Sequence, residues 1–449
     1  MYSQLDTTTT IVAPATAAGG AVMVIRLSGN QAIAIADKMY QGKHPLADAK
    51  GYTLHYGTIV NRDEEIIDDV VVALFRTPHS YTGDDTVEIT IHGSEYITTE
   101  VIRLAIEHGA TMALPGEFTR RAFLAGKMDL SRAEAVADVI ASDSQWSHNV
   151  ASTQMRGGYS AKLAELRGKL LQLCSLLELE LDFSEEDVEF ADRTTLLKTL
   201  EDIGTQIESL TQSFALGNVL KNGVSVAIVG EPNVGKSTLL NALIEEDRAI
   251  VSDIAGTTRD TIEATTTIDG IRYRFIDTAG IRATSDRLEQ LGIDRSCRAI
   301  ENANIILHIV SAENPVFTPI TISQNQHYIR VINKIDTLTT CDNLDSDAVL
   351  ISAKTNTGIN RLRTAIRTTT DTAQLSAGSI VVSNMRHYSA LKSANEALAD
   401  ARNSMCSNTP SDLLSEDIRR IIHHLGEITG EITTTDILQT IFSKFCIGK

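Results

Sequence analysis

The sequence predicts an α+β N-terminal domain, an all-α helical domain built from two chain segments, and an α/β domain inserted between those segments. Short β-rich runs and turns occupy residues 1–125. Apolar residues recur at helical spacing in 126–222 and again in 376–449, which is typical of packed helices. Apolar strands alternate with helical stretches in 223–375, which predicts a mostly parallel sheet covered by helices.

The N-terminal segment contains strand-like runs followed by one amphipathic helix. VMVIRLSG (22–29), VVVALF (70–75) and VEITIHG (87–93) are rich in β-branched residues, which favours strands. TTEVIRLAIEHG (98–109) has apolar residues three and four apart and ends in Gly109, a common helix-capping residue. Strands and a helix in one segment predict an α+β domain.

The two helical segments are marked by stripes of apolar residues. Each stripe recurs every three or four residues and therefore lies on one helix face. The stripes are Leu163, Leu166, Leu170, Leu173 and Leu177; Leu196, Leu200, Ile203, Ile207, Leu210 and Phe214; Leu391, Ala394 and Leu398; and later Ile418, Ile421, Ile422 and Leu425. We expect these helices to pack together as one discontinuous domain.

The inserted segment contains apolar runs of strand length separated by helical stretches. Such alternation is the pattern of a doubly covered parallel sheet. The predicted strands are SVAIVG (225–230), RYRFIDTAG (272–280), NIILHIV (304–310), YIRVINKID (328–336) and AVLISAK (348–354).

Composition excludes several classes of protein. No apolar run approaches the ~20 residues that span a membrane, and the N-terminus lacks a cationic region followed by an apolar stretch. Five scattered cysteines without zinc-ligand spacing fit a reducing compartment, so we expect a cytoplasmic protein. The net charge of −18 argues against nucleic acid held tightly by this chain alone, although RRAF (120–123) with Lys127 and Arg132 forms one basic cluster.

A phosphate-binding loop opens the inserted domain. GEPNVGKS (230–237) matches G-x-x-x-x-G-K-[ST] between an apolar strand and an apolar helical run. Its glycines let backbone N–H groups face phosphates, and the following helix adds its dipole. We expect Lys236 to reach the β- and γ-phosphates and the Ser237 hydroxyl to bind magnesium. The flanking strand and helix make a chance glycine turn the weaker interpretation.

The base that this site selects is indicated by Asn333-Lys334-Ile335-Asp336 at the end of a later strand. The Asp336 carboxylate can accept from both the ring N–H and the exocyclic amine of guanine. Adenine has no matching donor pair and would leave a buried carboxylate unpaired. SAK (352–354) ends the next strand, where its backbone can face the guanine carbonyl. Together these motifs predict a Ras-like P-loop GTPase domain.

The residues that respond to the γ-phosphate are predicted from DTAG (277–280) and GTTRD (256–260). Asp277 should hold a magnesium-bound water, and the Gly280 N–H should sense the γ-phosphate. Thr258 is the preferred magnesium-ligating threonine, and Thr257 is the alternative.

The usual water-orienting glutamine after D-x-x-G is replaced here by Ile281, which cannot polarise water. The segment 281–292 offers Arg282, Asp286, Arg287 and Glu289 instead. The Asn233 amide oxygen, inside the phosphate loop, could bind a monovalent cation that supplies the missing positive charge. From spacing alone, a solvated switch helix and a loop-stabilising amide are equally good interpretations.

Three motifs outside the nucleotide site identify a family. IVAPATA (11–17) precedes IRLSG (25–29), GEFTRRAFLAGKMDLSRAEAVADVI occupies 116–140, and FCIGK (445–449) ends the chain. With the GEPNVGKS, DIAGTTRD, DTAG and NKID forms, the chain resembles the MnmE (TrmE) family of tRNA modification GTPases across nearly its full length.

The resemblance implies a homodimer whose N-terminal domain binds 5-formyltetrahydrofolate or a related tetrahydrofolate. It implies a heterotetramer with the flavin-dependent protein MnmG. The pair installs a carboxymethylaminomethyl or aminomethyl group at C5 of the wobble uridine of certain tRNAs. Hydrolysis of GTP to GDP and phosphate would be activated by potassium when two G domains dimerise.

The resemblance also assigns residues. Glu289 matches the water-positioning glutamate, and Asn233, Ser252, Ile254 and Thr257 would surround potassium. Ser237 and Thr258 would bind magnesium. The GTP-binding residues implied by the motifs and the resemblance are Asn233, Val234, Gly235, Lys236, Ser237, Thr238, Ser252, Asp253, Ile254, Ala255, Gly256, Thr257, Thr258, Asp277, Thr278, Ala279, Gly280, Asn333, Lys334, Asp336, Ser352, Ala353 and Lys354.

The folate contacts would map to Arg26, Glu88, Lys127 and Lys449. Arg26 and Lys127 are sensible partners for a glutamate tail, and Glu88 could accept from pterin N–H groups; otherwise each is a surface charge. Cys446 is a candidate nucleophile for one-carbon chemistry, although a lone cysteine there is more often inert. Many family members carry G-R-G-G after the PATA-like segment, whereas this chain has no arginine in ATAAGGAVMV (15–24).

A second function remains open at the level of sequence. A regulatory G-protein switch could recruit partners, such as ribosome-assembly factors, without tRNA chemistry. A third hypothesis is a structural scaffold with a degenerate nucleotide site. The intact Lys236, Ser237 and Asp277 argue against it. The folate-like N-terminal segment and FCIGK favour tRNA modification.

Overall fold

The computed structural model describes residues 8–182, 193–245, 263–277, 299–301, 303–323, 326–338, 345–370, 380–407 and 409–448. The chain divides into two compact units. The first comprises Met1–Ala137, Gln154–Leu196 and Ala397–Lys449, and the second comprises Asp138–Thr153 and Leu197–Glu396. The predicted fold class is confirmed, and the three predicted domain boundaries stay a prediction.

The first unit contains a seven-stranded sheet in the order β3-β4-β5-β6-β2-β1-β7. Neighbouring strands are antiparallel except for the β1–β7 pair. The strands are β1 (Ile11–Pro14), β2 (Val22–Ser28), β3 (Tyr40–Gly42), β4 (Thr53–Val60), β5 (Ile66–Phe75), β6 (Thr86–His92) and β7 (Thr111–Met112). The three strands predicted from sequence are confirmed as β2, β5 and β6, and the others were not predicted.

Helices α1 (Ala32–Met39) and α2 (Glu95–Glu107) cover one face of this sheet and complete its apolar core. The predicted helix 98–109 begins earlier than expected, because Ser94 caps its N-terminus by accepting from the Ile97 N–H. Gly109 follows the helix end with a φ of +106°, as a C-terminal glycine should.

The predicted apolar stripes lie on long helices and are buried, except that Phe214 is only half-buried. Burial of one face on each helix is what stabilises such elements in a bundle. The stripes lie on α6 (Gly158–Asp182), α7 (Arg193–Asn222), α10 (Met385–Cys406) and α11 (Ser411–Thr429). Shorter helices flank them in the sequence: α3 (Glu117–Leu124), α4 (Leu130–Ala141), α5 (Gln145–Met155) and α12 (Thr435–Phe442). Within the first unit, α11 packs along α6.

The second unit contains a six-stranded sheet in the order β13-β12-β11-β8-β10-β9. Its strands are parallel apart from the antiparallel β9–β10 hairpin. They are β8 (Val224–Val229), β9 (Glu263–Ile268), β10 (Ile271–Asp277), β11 (Ile305–Ser311), β12 (His327–Asn333) and β13 (Val349–Leu350), with helices α8 (Lys236–Glu245) and α9 (Ile359–Thr368).

The strand predicted over 348–354 is much shorter than expected. Only Val349 and Leu350 pair with β12, at the edge of the sheet. The chain then turns, and the backbones of Ser352 and Thr357 exchange hydrogen bonds of 2.9 and 3.1 Å. The apolar residues of this short strand therefore lead into a loop, and Asn333 connects that loop to the phosphate loop.

Within the described ranges, no helix combines the length and the apolar character needed to cross a membrane.

Candidate nucleotide site

The phosphate loop lies between β8 and α8, as the motif predicts. A Cβ atom on Gly230 would lie 2.2 Å from the Ile309 carbonyl oxygen, so only glycine allows β11 to pass so closely. The Lys236 side chain is buried, and its ammonium donates to the carbonyls of Gly230 and Glu231 at 2.7 Å each. These two hydrogen bonds hold the Lys236 ammonium against the backbone at the start of the phosphate loop.

Asn333 joins the phosphate loop to the SAK loop (352–354), which is predicted to face the guanine base. Its side-chain amide donates to the Val234 carbonyl at 2.9 Å, and its amide oxygen accepts from the Ala353 N–H at 2.9 Å. Gly235, with a φ of +98°, makes room for this bridge, because a Cβ there would lie 2.3 Å from the Asn333 amide nitrogen. Asn333 is 3% exposed, so both hydrogen bonds are shielded from water.

Asp336, the carboxylate predicted to read the base, lies on a short 3₁₀ turn, Ile335–Thr337, that Lys334 starts in a left-handed conformation. The Ser352 hydroxyl donates to Asp336 Oδ1 at 2.6 Å. This hydrogen bond is the main reason why the pKa of Asp336 lies below its ordinary value. Asp336 itself is exposed, whereas the sequence argument treated it as buried. Lys354, also exposed, completes the predicted SAK loop.

The remaining phosphate-loop residues lie at the surface. Asn233 is exposed and holds a φ of +63°, and Ser237 and Thr238 are exposed in the first turn of α8. Val234 is buried in the sheet core beneath them. The loop thus offers side-chain oxygens on its outer side and apolar packing on its inner side.

Much of the predicted switch machinery lies outside the described residues. Asp277 ends β10 in register with Ile228, and its side chain is not described. The other residues outside the described ranges are Ser252, Asp253, Ile254, Ala255, Gly256, Thr257, Thr258, Thr278, Ala279, Gly280, Ile281, Arg282, Asp286, Arg287, Glu289 and Lys449. Their assignments stay predictions.

The first unit brings two of the predicted folate residues together. Arg26 on β2 and Glu88 on β6 are cross-strand partners, and the guanidinium contacts Glu88 Oε1 at 2.8 Å. Arg26 also donates to the Gly448 carbonyl at 3.1 Å, which places the C-terminal segment beside the pair. Lys449 follows directly in the sequence.

Arg26 is further enclosed by aromatic rings that the sequence reasoning missed. Its guanidinium carbon lies 5.8 Å from the Tyr81 ring centroid and 5.6 Å from that of Phe118. The Tyr81 hydroxyl is 2.9 Å from the Thr119 hydroxyl, and burial raises the pKa of Tyr81. Cation–aromatic contact was not foreseen because Phe118 sits in a helix that the motif alone did not place.

The other predicted one-carbon residues are less closely assembled. Lys127 is exposed and donates to the Pro78 carbonyl, in the same 76–85 loop that supplies Tyr81. Cys446 is exposed, and its carbonyl accepts from the Gly116 N–H at 3.4 Å. In the segment that lacks the family arginine, Met23 is 4% exposed and belongs to the sheet core.

The site residues fit a nucleotide and a divalent cation. Gly230 and Gly235 shape a cradle that a Cβ would fill, and Lys236 already binds oxygen atoms. Hydroxyl and carboxylate oxygens are the donors that magnesium prefers.

Comparison with known proteins covers nearly the whole chain. A model of the MnmE helical domain matches residues 130–446, and one of the GTP-binding protein TrmE N-terminus matches residues 10–127. The tRNA modification GTPase MnmE of Bacteroides fragilis is 48% identical over 98% of this chain and 99% of its own length. The protein of the same name from Bacteroides thetaiotaomicron is likewise 48% identical over the same shares. A solved structure of Era in complex with MgGDPNP and a 16S ribosomal RNA segment is 27% identical, covering 39% of this chain and 66% of that one with a TM-score of 0.25.

Proposed function

The chain belongs to the MnmE family of tRNA modification GTPases, and we propose that it acts on the wobble uridine. In this proposal, GTP hydrolysis supports addition of a carboxymethylaminomethyl or aminomethyl group at C5, together with the flavoprotein MnmG. The observation that carries the proposal is the identity to tRNA modification GTPases across 98% of the chain. A generic G-protein switch would not need the N-terminal unit that this identity includes.

The described residues supply the means of holding GTP. Backbone N–H groups of the phosphate loop and the Lys236 ammonium would bind the phosphates, exchanging carbonyl partners for phosphate oxygens. Asp336, kept ionised by Ser352, would accept from the two guanine donors. Magnesium, held by Ser237 and Thr258, would neutralise charge between the β- and γ-phosphates.

Potassium activation is proposed because the phosphate loop needs added positive charge. Ile281 cannot orient water, so Glu289 is the proposed water-positioning residue. The exposed Asn233 amide is available to a monovalent cation at the outer side of the loop. Ser252, Ile254 and Thr257 would complete the cation's shell.

A tetrahydrofolate is proposed to bind beside Arg26. The Arg26–Glu88 pair combines a cation and an acceptor with two neighbouring aromatic rings, a set that suits a charged and aromatic ligand. Lys127 and Lys449 would add positive charge for the glutamate tail. Cys446, exposed in the adjoining C-terminal segment, is the candidate nucleophile.

A homodimer is proposed through the open face of the N-terminal sheet. Leu54 and Tyr56 on β4 are 72% and 71% exposed, and Val71 on β5 is the cross-strand partner of Tyr56. Val22 on β2 is 55% exposed. Exposed apolar residues on one face of a sheet support the proposal that this face is the dimer interface.

The charge of −18 favours sharing the tRNA with MnmG, in the proposed heterotetramer, over binding by this chain alone. The basic residues 120–123 are of limited help, because Arg120 and Arg121 are buried around Glu117.

Nucleoside analysis of bulk tRNA tests the proposal. Cells that lack the gene should lose the modified wobble uridines, and expression of the wild-type chain should restore them. Unchanged nucleosides after deletion would exclude the tRNA role and favour a regulatory switch.

Matched lysine variants show whether nucleotide binding is required. Lys236→Ala should fail to restore the modified uridines, because the phosphates lose their buried cation. Lys169→Ala removes an exposed lysine that pairs with Glu165 on the surface of α6, and it should restore them.

A further inference from the structure

The β9–β10 hairpin joins the two predicted switch segments. β9 begins three residues after GTTRD (256–260), and β10 ends at Asp277 of DTAG. The strands pair without interruption from Ile276↔Glu263 to Ile271↔Ile268. The turn at 269–270 therefore lies at the far end of a continuous ladder of hydrogen bonds, which connects the switch end of the hairpin to that turn.

The turn is held by the corner between α4 and α5. The Trp146 N–H donates to the Gly270 carbonyl at 3.4 Å, and Arg272 forms an ion pair with Asp143. A Cβ on Gly270 would lie 3.3 Å from the Gln145 side-chain oxygen, so the two segments touch closely. We call Asp143, Gln145, Trp146, Gly270 and Arg272 the corner clasp.

Helix α5 begins rigidly at the corner clasp. The Ser147 N–H donates to the Ser144 hydroxyl at 3.2 Å, and the Ser144 N–H donates to the Ser147 hydroxyl at 3.1 Å. Both serines are buried, and this reciprocal cap fixes the direction of the first turn. The Trp146 side chain packs against the core of the second sheet. Motion of the turn should therefore be passed to α5.

The corner also has room to move. A polar cavity of about 570 Å³ lies beside it, lined in part by Asp138, Ser147, Lys221 and Arg272. Asp138, in the last turn of α4, pairs with Lys221 at 2.7 Å, and both residues line this cavity. Side chains that border open space can shift without first creating a void in a packed core.

We propose that the corner clasp transmits the nucleotide state of the switch to helices α4 and α5. Asp143 and Arg272 are then positioning residues that couple GTP hydrolysis to tRNA modification. Along the chain, α4 begins three residues after Lys127, the candidate folate residue, so α4 connects the clasp to that site by sequence. The inference goes beyond the proposed function, since its physical readout needs neither folate nor MnmG.

Trp146 provides that readout, because it is the only tryptophan of the sequence. In a buffer that contains potassium, the Trp146 emission of the full-length chain is measured with GDP bound and again with GDP plus aluminium fluoride, which imitates the transferring phosphate. We expect the Trp146 emission to differ between the two states. Asp143→Asn, which removes the ion pair at constant side-chain size, should abolish at least half of that difference.

The same variants are then measured for GTP turnover and, in complemented cells, for modified wobble uridine. Asp143→Asn and Arg272→Gln should keep their GTP turnover while the modified uridine falls roughly threefold or more, the scale of mutations along a coupled network. The double variant Asp143→Arg with Arg272→Asp should recover much of the loss, because it restores an ion pair.

Arg367→Ala is the matched control. Arg367 pairs with Asp269 at 2.9 Å at the same turn, but it comes from α9 of the inserted fold rather than from the corner. The proposal is overturned if Trp146 emission ignores the nucleotide, if Asp143→Asn behaves as wild type, or if Arg367→Ala loses as much as Asp143→Asn. If deletion leaves tRNA unchanged, the proposed function fails, while the Trp146 measurement still decides the clasp.

Discussion

Replacing Asn333 with alanine should separate the phosphate loop from the SAK loop (352–354). The change removes two hydrogen bonds of 2.9 Å and leaves the Val234 carbonyl and the Ala353 N–H without their partner. A buried polar group left unpaired costs about 1–3 kcal/mol, so the pair costs about 2 kcal/mol or more. If that energy falls on nucleotide binding, 2 kcal/mol corresponds to a roughly thirtyfold rise in the Kd for GDP.

Titration calorimetry with GDP measures this directly, alongside the free energy of unfolding. Asn333→Asp serves as a second variant, because it keeps an acceptor for Ala353 but replaces the donor to Val234 with a buried, negatively charged carboxylate oxygen. Asn360→Ala, at an exposed position of α9, is the control and should bind as wild type. A GDP Kd within twofold of wild type for Asn333→Ala, with unchanged stability, would refute the bridging role.

Three further predictions concern single side chains. GDP affinity should stay constant as pH falls through 5, because the Ser352 hydroxyl holds the pKa of Asp336 below its ordinary value. In Ser352→Ala, GDP titrations at a series of pH values should show the affinity falling at a higher pH than in the wild type. The 2.7 Å hydrogen bond to Asp68 raises the pKa of His92 above its ordinary value. The stability that protonated His92 contributes should therefore be complete below about pH 6.5, and it should be lost as pH rises through the pKa of His92 in the folded state. An NMR titration midpoint of His92 that is unchanged in Asp68→Asn would contradict this cause. Glu289→Ala should bind GTP normally and hydrolyse it ~10²-fold more slowly, whereas wild-type turnover would reject its role as water-positioning residue.

Local motifs were predictable because their chemistry is contiguous in the sequence. The phosphate loop needs a strand, a glycine-rich turn and a helix, and all three occur between Val224 and Glu245. The helical stripes were predictable for the same reason, since a period of three to four residues fixes a buried face without knowledge of the partner helix.

Tertiary partnerships were not predictable from one sequence. The motif assigned Asn333 to the nucleotide site, but the sequence did not show that it joins Val234 to Ala353 across 99 and 20 residues. Arg26 and Glu88 were assigned from a family resemblance, and only the pairing of β2 with β6 makes them neighbours.

Strand length also depended on context. β4 (Thr53–Val60) was not predicted, and in the structure it alternates only partly between exposed and buried residues. The run over 348–354 was predicted as a full strand, but an edge strand has one neighbour, and here the chain turns at Ser352 after two paired residues.

GTP turnover against potassium concentration, with sodium as the matched salt, tests the central claim most directly. The claim is that this tRNA modification GTPase replaces the missing glutamine with a cation beside Asn233 and with Glu289. Turnover should rise with potassium and not with sodium, and Asn233→Ala should remove the difference, with MnmG present or absent. Equal turnover in the two salts would contradict the account.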